Sequence, residues 1–123
     1  MSTPLALLPK VRSRTLMDAM QHMPCSLRIS TFLGQPCAPQ ATVVGAHLAV
    51  GGKGMASKTS DLCVVAACFT CHQLLDGVDK RGMAIRERYP AAFHEQVLRA
   101  LAETHSRLLE AGVITVQGGE IVS

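Results

Sequence analysis

The chain has 123 residues, enough for one domain with a single core. Hydrophobic residues make up 48% and charged residues 17%, which argues against a disordered chain, and a net charge of +3 is too small for a protein that simply coats DNA. Aromatics amount to 3% with no Trp, which argues against a base-stacking platform and leaves a core of Leu, Val, Ile, Ala and Met that needs a staple; five cysteines can supply one.

In chain order, residues 1–12 read as a flexible N-terminal segment. Its apolar patch, Leu5 to Pro9, precedes the basic residues, the reverse of a secretory signal. No apolar run reaches the ~18 residues that span a bilayer. The expectation is a cytoplasmic protein with no membrane partner, whose cysteines are reduced and open to metal. From Ser13 to Met23, Leu16, Met17, Met20 and Met23 recur at helical spacing and Pro24 ends the run. SLRIS (26–30) predicts a short strand, and the Gly34, Pro36 and Pro39 of the next stretch predict a turn-rich loop. TVVGAHLAV (42–50) is β-branched and apolar, a strand carrying His47, and GGKGMASKTS (51–60) is a mobile loop.

DLCVVAA fits a strand or a helix equally. CFTCHQLLDG predicts a tight turn and then a short helix that Gly77 can cap, and VDKRGMAIRERYP reads as a basic connector. The clearest helix runs from Pro90 to Ala111, with Phe93, Val97, Leu98, Leu101, Leu108 and Leu109 as an apolar stripe and Gly112 closing it. VITVQGGEIVS suggests two short strands around a Gly-Gly turn. The organisation is one α+β domain over residues 13–123, with its polar chemistry between Cys25 and Asp76.

Cys68 and Cys71 form a C-x-x-C, the spacing at which two thiolates on a tight turn reach one tetrahedral ion. Cys25 and Cys37, each beside a proline, can complete a four-sulfur structural zinc site. The plainer reading makes the cysteines small core residues, and Cys63 fits that description. His72 and Asp76, four apart on a helix, can share a divalent ion or form a surface pair. His47 is either a hydrogen-bonded core histidine or a general base. Lys53 and Lys58 in the glycine-rich loop, with Lys80 and Arg81 beyond the short helix, can contact nucleic-acid phosphates.

A strand histidine, a glycine-rich loop, Asp61-Leu62, an apolar run and a C-x-x-C-His that opens a helix together resemble the HNH nucleases, above all the phage- and prophage-borne YbcO type. PCSLRI, AHL, GKGMASKTSDL and ACFTCHQLLDG carry the likeness, over residues 24–77. It implies a ββα-metal core with flanking helices and a structural zinc that includes Cys68 and Cys71. It also implies His47 as general base, with Asp61 standing where the family usually has Asn. His72 becomes a ligand of one catalytic divalent ion, Mg, Mn, Ni or Zn, and Asp76 matches a further acidic position on the helix. Ala46 departs from the pattern, since the residue before the base commonly donates to the metal; Asp76 or Asp61 then replaces that ligand. The function so implied is metal-dependent cleavage of nucleic acid, DNA in phage processing. The alternative is a catalytically silent zinc module that binds nucleic acid or protein.

Overall fold

The computed structural model describes residues 7–49 and 59–122. Ser13 opens α1 (Arg14–Ala19), its hydroxyl accepting the Leu16 N–H at 3.1 Å, and the helix tightens into a 3-10 turn over Met20–His22. Leu16, Met20 and Met23 of this run are buried. Two strands, β1 (Val44–His47) and β2 (Val64–Ala67), pair antiparallel, with Val44 opposite Ala67 and His47 opposite Val64. The Leu48 N–H donates to the Cys63 carbonyl and extends the ladder by one bond. Every residue of β2 is buried, so its continuous apolar run is a strand packed on both faces.

Three helices follow. α2 (Phe69–Asp76) starts on Cys68 and ends at Gly77, whose φ of 78° is the left-handed cap foreseen for it. The expected basic connector is helical: α3 (Arg81–Arg88) buries Gly82 and Ile85, and a Cβ on Gly82 would collide with the Leu74 carbonyl of α2. Only two of its eight residues are buried, so its charged face hid the helix in the sequence. α4 (Pro90–Glu110) buries Phe93, Ala100, Thr104 and Leu108, while Leu98, expected in the stripe, is 66% exposed.

The edge of β2 turned away from β1 is covered as well. The Ala66 N–H donates to Thr104 Oγ1 of α4 at 3.2 Å, and the Ala66 carbonyl accepts the N–H groups of Ser26 and Leu27. Here SLRIS departs from the expected strand. It docks on β2 through those two N–H groups only, then Arg28 adopts φ 47° and the chain winds into a 3-10 helix over Ile29–Leu33. The Arg28 N–H curls back onto Cys25 Sγ at 3.5 Å, a contact that an extended strand would open.

Nor do the C-terminal residues pair: among those described, 113–122 hold no strand. Val113 and Ile114 donate to the Leu108 carbonyl, and Gly118 makes a turn with φ 76°. Val11 and Arg12, read as the end of the flexible segment, are bonded to Thr59, Ser60 and Asp61. No helix among the described residues is long and apolar enough to cross a membrane.

Candidate functional site

The sulfurs of Cys25, Cys37, Cys68 and Cys71 all lie within 4.8 Å of one another. Three separate local structures bring them there. Cys25 follows α1 and Pro24, Cys37 sits in the proline-rich loop, Cys68 caps α2, and Cys71 lies in its first turn. Cys25, Cys68 and Cys71 are buried and Cys37 partly so. Donors aim at the sulfurs from all sides. Arg28 N–H points at Cys25 (3.5 Å), Ala38 N–H (3.3 Å) and Cys71 N–H (3.5 Å) at Cys68, and the Ser30 hydroxyl at Cys37 (3.9 Å). Such N–H···S contacts stabilise thiolates, and a closed set of four soft sulfurs suits a structural zinc ion.

The proton affinities are uneven across the cluster. The Cys25 thiol is pulled down to about 5, first by its hydrogen bond with Cys71, against the effect of burial. Cys37 is pushed up to about 11 by burial and then by the charge on Cys25, and Cys71 is raised by its bond to Cys25 and by burial. Four thiolates this close repel one another; a divalent cation between them removes the repulsion.

A clamp that the sequence did not announce holds this centre to α4. The Arg28 guanidinium forks onto Glu103 at 2.8 and 3.3 Å, and the Ser26 hydroxyl donates to the same carboxylate at 2.9 Å. The Arg28 cation holds the Glu103 carboxyl below its usual range.

The second cluster lies at the other end of the hairpin. His47 Nε2 is 2.8 Å from Asp61 Oδ1, and Asp61 Oδ2 accepts the Ser13 N–H at 2.7 Å. Arg12 Nη1 stands 3.6 Å from Oδ1. Burial pushes the Asp61 carboxyl up, but the Ser13 N–H, His47 and Arg12 outweigh it and leave the group below its ordinary value. His72 and Asp76 form a third group, an i,i+4 pair at 3.0 Å on the partly exposed side of α2.

Among the described residues, the four cysteines are the one group of three or more candidate ligands with all ligand atoms within 4.8 Å of one another. His47 faces Val64, and α2 begins after Ala67, three residues further along β2. The imidazole also turns toward Asp61. Ala46, in the position of the family's extra ligand, is buried.

The basic residues are a mixed outcome. Arg81 is forked onto Asp79 at 2.7–3.2 Å, so its charge is locally answered; Lys80 is exposed at the start of α3; Lys53 and Lys58 lie outside the described residues. Arg12 and Ser13 were missed as site residues, and their one signal is the basic run KVRSR. No family model, curated protein or solved structure matches the chain.

Proposed function

We propose that the chain is a zinc-stapled nuclease of the HNH type that hydrolyses nucleic-acid phosphodiesters with His47 as the general base. The observation that carries this reading is the 2.8 Å contact between His47 Nε2 and the buried Asp61 carboxylate. An ionised Asp61 keeps the proton on Nε2 and leaves the Nδ1 lone pair to accept one from water. The water oxygen then bonds to phosphorus, the bond from phosphorus to the leaving oxygen breaks, and solvent returns a proton to that oxygen. Structural zinc on Cys25, Cys37, Cys68 and Cys71 fixes the hairpin against α2 and α4. The divalent ion that the resemblance implies would be held by His72 and Asp76 and would supply a Lewis acid for the phosphate.

Two observations favour a second reading, a silent zinc module that binds nucleic acid or protein: Ala46 is buried, and among the described residues His47, His72 and Asp76 do not bring all their ligand atoms within 4.8 Å of one another. Nicking of supercoiled plasmid in Mg, Mn, Ni or Zn decides between them. On the nuclease reading, wild type nicks DNA and His47→Ala, with unchanged zinc content, is slower by a factor on the order of a hundred or more. Equal inertness of both proteins supports the silent module, and equal cutting removes His47 from the base role.

A further inference from the structure

The segment Val11–Ser13 is a strap across the His47 site. The Val11 N–H donates to Ser60 Oγ at 3.0 Å, the Asp61 N–H donates to the Val11 carbonyl at 2.9 Å, and the Ser13 N–H donates to the Asp61 carboxylate at 2.7 Å. Between the first and last of these, Arg12 points its guanidinium at the loop. Its Nη1 donates to the Thr59 carbonyl at 2.7 Å and stands 3.6 Å from Asp61 Oδ1, the oxygen that also meets His47. A cation and an imidazole thus flank one carboxylate oxygen.

We infer that Arg12 is a phosphate-binding residue of this site, gripping one phosphate of a nucleic-acid strand beside His47. The inference rests on the proposed reading only in taking a phosphodiester polymer as the ligand. Three observations lead to it. About half of the Arg12 side chain, 49%, is open to solvent, while the Asp61 side chain is 6% exposed and spends its oxygens inward on Ser13 and His47. The Arg12 side chain therefore meets solvent and that of Asp61 does not, while Nη1 also donates to the Val11 carbonyl at 3.2 Å. The strap and the Thr59 bond also hold the guanidinium in place before any ligand arrives, which lowers the entropy lost on binding. Finally, Arg12 belongs to a run with Lys10 and Arg14, so the strap brings positive charge to the one described histidine with a buried carboxylate partner. A planar guanidinium matches two phosphate oxygens at once, which a lysine does not.

The test is fluorescence anisotropy of a labelled DNA duplex over a salt series, in a His47→Ala background so that nothing is cut. Arg12→Gln removes the charge and keeps a polar side chain; Arg99→Gln removes an exposed charge on α4 as the control. Binding should fall about tenfold in Arg12→Gln, the factor for a modest charged hydrogen bond, and the slope of log K against log salt should flatten by about 0.9. Arg12→Lys should keep the slope and still bind more weakly, which serves should Arg12→Gln lose zinc or fail to fold. The inference is overturned if Arg12→Gln binds like its parent, if Arg99→Gln produces the same loss, if Arg12→Lys binds unchanged, or if the parent binds no duplex at any salt. Salt-sensitive binding through Arg12 with no nicking by wild type would sink the nuclease reading alone. Nicking with an unaltered slope in Arg12→Gln would sink this inference alone.

Discussion

A buried carboxylate is costly unless each oxygen meets a partner, and at Asp61 both do: one meets His47, the other the Ser13 N–H. Asp61→Asn keeps the shape and removes the charge, so it should cost about 1–3 kcal/mol at neutral pH. The sign of the pH dependence follows from the direction of the shift. Because the folded carboxyl titrates below its ordinary value, its stabilisation is complete above the unfolded pKa of about 3.9 and is lost as pH falls through the lower folded value. Denaturation of both proteins from neutral pH into acid should show a stability gap that begins to narrow as pH falls through the unfolded pKa of about 3.9. Protonation of the cysteine site affects both proteins and cancels in the difference. A gap that widens as pH falls below that value would contradict the assignment. His47 and Asp61 were legible in the sequence because they fall within one motif, whereas Ser13 lies 48 residues from Asp61 and nothing local ties the two together.

Thr104 shows the same limit one level up. Its helix was plain from the spacing of Phe93, Val97, Leu101 and Leu108 around a proline start, but that spacing assigns no role to Thr104. In the folded chain it is fully buried and accepts the Ala66 N–H from the outer edge of β2. Which strand edge a helix covers is a tertiary fact, and periodicity does not encode it. Thr104→Val should leave that N–H without a partner and cost about 1–3 kcal/mol. Thr104→Ser should recover most of the loss, and chemical denaturation of the three proteins measures both; equal stability of the valine and native forms would refute the bond's importance. SLRIS and α3 went astray for related reasons. In SLRIS, Ser26, Leu27, Ile29 and Ser30 are all buried, so the alternation of a half-buried strand was never there, and the Cys25 turn dictates the path. In α3, contact with the Leu74 carbonyl at Gly82 fixes a helix whose composition is mostly charged.

At the scale of the molecule, the cysteine centre joins parts that have little else in common. Cys25 leads from α1, Cys37 from the proline loop, and Cys68 and Cys71 from the junction of β2 and α2. The core around it has one large buried ring, Phe93, and otherwise aliphatic and methionine side chains. A small domain has a net stability of ~5–15 kcal/mol, and structural zinc in finger peptides contributes ~10–16 kcal/mol of apparent binding energy at neutral pH. Losing the ion would therefore remove as much free energy as the whole fold holds in reserve. Stripping the protein with EDTA should collapse the dispersion of its amide proton spectrum and its helical circular dichroism, and one equivalent of zinc should restore both. Cys71→Ser, which deletes a buried ligand, should copy the metal-free state, while Cys63→Ser, which lies outside the cluster, should bind one zinc like the native chain. A metal-free protein with an intact spectrum would show that aliphatic packing alone holds α2 to the hairpin, and that the four sulfurs are merely neighbours.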